Sequence, residues 1–183
     1  QESSAQVGST QDSFDIIIKG GRVIDGSGNP WYNADIGIIG ERIIRIGNLD
    51  GASANKTIDA TGLTVSPGFI DPHTHALQGI FDVPNAESAL LQGVTTLTEG
   101  NDGSSPFPID KHYEEIANKQ ISPNWAVFVG QGTIRELVIG EEDREATATE
   151  MAQMKQMVHQ AMEQGALGIS TGLFYVPGSF TST

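Results

Sequence analysis

Residues 62–75 read GLTVSPGFIDPHTH, an apolar run that closes on two histidines one residue apart. The chain holds four histidines in 183 residues, so two of them at one point is a signal worth following. On a strand, residues i and i+2 project to the same side. His73 and His75 are therefore expected to point together, about 7 Å apart along the strand. Asp71 is expected on the same side, one step earlier. Two imidazoles at a strand end suit a Zn²⁺-type ion, which takes neutral nitrogen ligands at about 2 Å. An isolated HxH pair reads more readily as two ordinary surface or core histidines, so its meaning depends on what surrounds it.

From Thr64 onward, strand-like and helix-like segments alternate. LTVSPGFID (63–71) reads as a strand, NAESALLQG (85–93) as a short helix ending at Gly93, and GVTTLTEG (93–100) as a β-branched strand. PIDKHYEEIANKQ (108–120) reads as a helix with proline at its start, and NWAVFVG (124–130) as a third strand. The clearest helix is TATEMAQMKQMVHQAMEQGA (147–166). There Thr147 and Glu150 have capping-box spacing, Met151, Met154, Val158, Ala161 and Met162 form an apolar stripe, and Gly165 is a natural stop. ALGISTG (166–172) reads as a fourth strand. Such alternation implies right-handed βαβ units and a parallel sheet. Parallel sheets carry their chemistry at the carboxyl ends of strands, where the histidine pair stands. His112 and His159 fall in helices without partners at ligand spacing and read as surface residues.

Upstream, residues 14–62 read as a small β unit. A β-rich run from Phe14 meets a Gly20-Gly21 break, followed by a second short strand and a turn cluster at residues 25–30. Gly26 and Gly28 read as turn glycines, since no GxGxxG and no following helix accompany them. ADIGIIGERIIRIGNL (34–49) repeats the pattern, with Ile36, Ile38, Ile43 and Ile46 among its strand residues and Gly40-Glu41 as the turn. Residues 1–13 are polar and are expected to be a disordered lead-in, such as follows removal of a secretory signal. Periplasmic or secreted and cytoplasmic locations both stay open.

Composition narrows the function classes. Ten basic residues against 23 acidic ones give a formal net charge of −13, with no basic cluster. That argues against nucleic-acid and anionic-membrane binding and leaves small-molecule chemistry. The absence of cysteine excludes disulfides, thiolate metal sites and a cysteine nucleophile. No apolar run approaches transmembrane length.

Taken in order, the motifs resemble one family. VSPGFIDPHTH (65–75) is similar to the first barrel strand of the amidohydrolase superfamily, and DIIIKGGRVIDGSG (15–28) to the start of its small accessory domain. QGVTTLTEGNDG (92–103), GQGTIRELVIG (130–140) and GALGISTGLFYVPG (165–178) resemble the second-strand, third-strand-loop and fourth-strand motifs of the D-aminoacylase (N-acyl-D-amino-acid deacylase) family. The resemblance runs from about Phe14 to the last residue.

It implies an α/β fold: part of a (β/α)₈ barrel, about its first four strands (63–183), preceded by part of a small β accessory domain (14–62). It implies metal-dependent amide hydrolysis of a small-molecule N-acyl amino acid, with one or two Zn²⁺ ions. His73 and His75 take the family's ligand positions. The family's second-strand cysteine is replaced by Asp102, with Glu99 three residues earlier as the alternative ligand. Ala76 and Leu77 stand where relatives commonly carry acidic residues, and Gln131 where they often carry histidine. Arg135 is either an anchor for a substrate carboxylate or a structural ion-pair partner. Tyr175 either faces substrate or packs the loop. The resemblance puts the remaining metal-ligand histidines on strands five and six and the general acid/base on strand eight. No catalytic group is expected in this chain, whose metal site is expected to be incomplete without the rest of the barrel. The alternatives are an amidohydrolase acting on cyclic amides or dipeptides, and a non-catalytic half-barrel binding or scaffold protein.

Overall fold

The computed structural model describes residues 13–182, so the expected lead-in lies, apart from Ser13, outside the described residues. The chain divides into two compact units at Pro67/Gly68.

The first unit is one sheet. Its strands are β1 (Ser13–Val23), β2 (Tyr32–Ile39), β3 (Arg42–Gly47), β4 (Ser53–Asp59) and β5 (Thr64–Val65). They lie in the order β3-β2-β1-β4, with β5 also paired to β1. Gly40-Glu41 forms the tight turn between antiparallel β2 and β3. Phe14, Ile17 and Leu49 make the core, and Ile36 is buried, whereas Ile43 and Ile46 are exposed. The Gly-Gly pair does not break β1. Register against β2 shifts between Ile18 and Gly21, with Gly20 at φ +74°, a conformation that glycine reaches without a Cβ clash. The buried Asp35 carboxylate pins this bulge by accepting from Gly20 N at 2.8 Å and from Leu49 N at 3.1 Å.

The run 63–71 is two strands rather than one. Thr64 and Val65 pair in parallel with Arg22 and Val23 of β1, while Phe69–Asp71 belong to the second unit. Ser66-Pro67 lies between them, and proline has no N–H for a ladder. The division therefore falls five residues beyond the 62/63 boundary read from the sequence.

The second unit contains β6 (Phe69–Asp71), α1 (Leu77–Ile80), α2 (Glu87–Leu90), β7 (Val94–Glu99), α3 (Ile109–Lys119), β8 (Asn124–Val127), β9 (Val129–Gly130), α4 (Gln131–Ile139), α5 (Ala148–Glu163) and β10 (Ile169–Ser170), then a 3₁₀ turn at Gly178–Phe180. Every strand pairing is parallel: β6 with β7, β7 with β8, β9 with β10. At Phe128 the third run changes partner. Phe128 N donates to Glu99 O at 2.8 Å, and Val129 N to Gly168 O at 2.9 Å. The segment 130–140, expected as a loop, opens with the last residue of β9 and then forms helix α4, which buries Ile134 and Ile139 and ends at Gly140.

Ile109, Val127, Val129, Ile134, Ala161 and Ala166 form the core, with Met154, Met157 and Val158 packed against it. The inward-facing stripe of α5 is thus 154/157/158/161, the i, i+3, i+4, i+7 set, with Ala161 fully buried, while Met151 and Met162 at its margins are exposed. Thr147 and Glu150 form the capping box. His112 is buried rather than on the surface. It shares a face of α3 with Ile109 and Ile116, and its Nε2 accepts from Trp125 Nε1–H at 2.9 Å. Burial lowers its pKa, so it is a neutral imidazole. His159 is exposed. No helix among the described residues is long and apolar enough to cross a membrane.

Candidate metal centre

The histidine pair lies just beyond its strand. β6 ends at Asp71, whose Oδ1 turns back to accept from His73 N at 3.2 Å. Asp71 is therefore occupied with the local backbone instead of lying beside the imidazoles. Past it, the chain stays tied to β7: Thr74 N donates to Thr98 O at 3.0 Å. Thr74 points inward and is buried, while its two neighbours point out. The imidazole centroids are 5.2 Å apart, edge to face. His73 Nε2 and His75 Nε2 lie 3.3 and 3.4 Å from the same atom, Asp102 Oδ2. One donor atom from each of the three residues falls within 4.8 Å of the other two. Two imidazoles and a carboxylate converging on one small volume, open to solvent, is a donor set suited to Zn²⁺.

Asp102 reaches that point because of the bend after β7. Gly100, Asp102 and Gly103 all have positive φ, +79°, +55° and +79°. Aspartate tolerates that region better than most side chains do, but neighbours hold it there. Gly103 N donates to Ser170 Oγ at 3.1 Å, the same hydroxyl donates to Gly100 O, and Thr133 N donates to Gly103 O at 3.1 Å. A Cβ on Gly172 would fall 1.9 Å from Asp102 O, so only glycine lets the chain just past β10 approach this closely.

Glu99 is not in the cluster. It is 3% exposed at the end of β7, and its Oε1 accepts from Thr74 Oγ1 at 2.6 Å and from Ala76 N.

The model of the amidohydrolase family matches residues 56–177, more than half of the chain. This chain belongs to the amidohydrolase family. Its similarity to individual members is strong. D-aminoacylase of Alcaligenes xylosoxydans xylosoxydans is 37% identical over 198 residues, covering 96% of this chain and 41% of its own length. N-acyl-D-glutamate deacylase of the same organism is 35% identical, covering 92% of this chain and 39% of its own length. Among solved structures, N-acyl-D-glutamate deacylase from Bordetella bronchiseptica, complexed with zinc and a phosphonate inhibitor, matches with a TM-score of 0.87 at 32% identity, covering 93% of this chain and 41% of that one. A D-aminoacylase structure concerned with a binuclear metal centre gives 0.85 at 37% identity, covering 92% and 40%. The chain therefore spans about two fifths of the length of these relatives.

In this amidohydrolase chain, a cavity of about 420 Å³ opens beside the cluster, lined by His75, Asp102 and Glu99 on one side and by Leu77, Tyr175 and Val176 among others. Tyr175 is on the cavity wall and is 55% exposed; its ring stacks edge-on to Phe174 at 5.5 Å. Arg135 does not reach this cavity. It is buried on α4, and its Nη2 donates to the carbonyls of Glu142 at 3.0 Å and Arg144 at 2.8 Å. Its guanidinium thus ties down the loop after α4 through backbone carbonyls instead of through an ion pair. Gln131 donates Nε2–H to Thr181 Oγ1 at 2.7 Å. Ala76 caps α1, and Leu77 lines the cavity.

Sequence reading passed over Thr74, Asn101 and Ser170. Asn101 Nδ2 donates to Thr74 O at 3.2 Å and to Thr98 O at 2.9 Å, stitching the histidine segment to β7. The signal for Thr74 lay in the motif itself: if both histidines point one way, the residue between them must point the other.

Proposed function

We propose that the protein is a metal-dependent amide hydrolase that deacylates N-acyl-D-amino acids, and that these residues supply part of its small β domain and about the first four strands of a (β/α)₈ barrel. The observation that carries the reading is the convergence of His73, His75 and Asp102 at the carboxyl ends of β6 and β7, in a chain similar to deacylases over nearly all its length. The consecutive parallel pairing of β6, β7, the β8–β9 run and β10 supports the barrel.

In this reading His73 and His75 offer Nε2 and Asp102 offers Oδ2 to one or two Zn²⁺ ions. When bound, the ion supplies Lewis-acid polarisation of the scissile carbonyl and a nucleophile at neutral pH. The chain's own residues do the rest of what this part of the site requires. Asp71, Thr74 and Asn101 hold the histidine segment, and Ser170 holds the bend that aims Asp102. Leu77 and Val176 give the cavity apolar wall against which an acyl chain or side chain can exclude water, and Tyr175 presents a hydroxyl there. The remaining ligands and the residue that takes the water's proton belong to the three fifths of the relatives' length that these residues do not span.

The test is release of free amino acid by the intact protein from a panel of N-acetyl D- and L-amino acids. Release from D-substrates that stops on chelation and returns with Zn²⁺ is the expected result. Turnover of cyclic amides or dipeptides instead would favour another amidohydrolase chemistry. No turnover with metal bound would favour a binding protein.

A further inference from the structure

We propose that Glu99 is a positioning residue for the metal-binding segment, holding His73 and His75 in place without itself ligating; this rests on the metal-site reading above. Glu99 is 3% exposed and Thr74, its partner, 8%. A carboxylate this buried needs strong donors, and it has two on one oxygen: the Thr74 hydroxyl at 2.6 Å and the Ala76 backbone N–H. Those two donors bracket His75, and Thr74 also separates it from His73. Thr74 has one hydroxyl proton, with Thr98 O at 2.9 Å as a competing acceptor; the Glu99 oxygen is nearer.

The segment is thus fastened at Thr74 N, Thr74 O, Thr74 Oγ1 and Ala76 N, all to residues 98–101 of β7 and the bend after it. Glu99 makes two of these four bonds. The same short stretch then carries Asp102. One strand end therefore supplies both the carboxylate that faces the imidazoles and the carboxylate that fixes the backbone between them. Glu99 lies three residues from Asp102, but its Oε1 is engaged by Thr74 and Ala76, and it stands outside the donor cluster.

The experiment measures zinc affinity of the intact protein by competition with a chromophoric chelator, and the visible spectrum of the Co²⁺-substituted protein. The variants are Glu99→Ala, Glu99→Gln, Thr74→Val and Thr74→Ser. Loss of a residue that orients ligands weakens metal binding by about 10- to 100-fold. That loss is expected for Glu99→Ala and for Thr74→Val, with an altered Co²⁺ spectrum in each. Glu99→Gln keeps an acceptor oxygen and Thr74→Ser keeps the donor, so each recovers most of the loss. If Glu99 is a ligand instead, Glu99→Gln loses as much as Glu99→Ala while Thr74→Val binds normally, and the proposal is overturned. Wild-type affinity in Glu99→Ala overturns it alone and leaves the metal site standing. Failure of the wild type to bind zinc overturns both readings. Should Glu99→Ala not fold, the contrast between Thr74→Val and Thr74→Ser decides.

Discussion

His73, His75 and Asp102 project from a strand end and a bend, with side chains 55%, 70% and 39% exposed, so each can be removed with little loss of packing. His73→Ala, His75→Ala and Asp102→Ala are each expected to lose bound metal and activity. The metal-free His73→Ala and His75→Ala proteins should be within about 0.5 kcal/mol of the wild type in stability, as surface substitutions are, whereas Asp102→Ala, at a positive φ that alanine tolerates less well, should be somewhat less stable. Metal analysis of purified variants with thermal melts in chelator checks both halves. Gly172→Ala is the opposite case. Its methyl would collide with Asp102 O and Asp102 C, and overpacking of this kind costs about 1–3 kcal/mol. The variant should therefore lose both stability and metal, measured by urea unfolding and metal content. The histidine pair was legible in the sequence because period-2 alternation is a property of the chain alone. The choice between Asp102 and Glu99 was not, because Gly100, Asp102 and Gly103 all take positive φ and period-2 counting stops at the bend.

Helix α5 was readable from its own residues. Its capping box is local, and the structure carries it: Glu150 N donates to Thr147 Oγ1, and Thr147 N donates to Glu150 Oε2. Thr147→Ala is expected to lower stability by about 1 kcal/mol, read from chemical unfolding. Helix α4 was missed because family likeness suggested a loop where Ile134 and Ile139 in fact form a buried face. The split of residues 63–71 and the bulge in β1 depend on pairing with distant strands, which periodicity does not report. On α3, His112 could have been found from its spacing to Ile109 and Ile116, and it gives the fold a pH dependence. Desolvation lowers its pKa below the ordinary 6.5, with Glu115 acting in the opposite sense. The unfolded chain therefore takes up a proton at higher pH than the folded one. Stability is full above about 6.5 and is lost as pH falls toward the lowered folded value. Melts between pH 7.5 and 5 should show this decline, and His112→Gln should flatten it.

Across the whole molecule, β6 and β10 each pair on one side only among the described residues, and Phe69 and Ile70 on β6 are 61% and 66% exposed. Unpaired strand edges with exposed apolar side chains template self-association. Residues 1–183 expressed alone are expected to form dimers or larger species, seen by sedimentation velocity, and to show no hydrolase activity. A cooperative, active, zinc-loaded monomer would contradict the half-barrel reading. The central claim is that His73, His75 and Asp102 hold the catalytic metal. The most direct test is anomalous diffraction at the zinc edge from crystals of the intact protein. A peak is expected about 2.0–2.2 Å from His73 Nε2, His75 Nε2 and a carboxylate oxygen of Asp102. A zinc peak ligated by other residues, with these three side chains unbound, would contradict it.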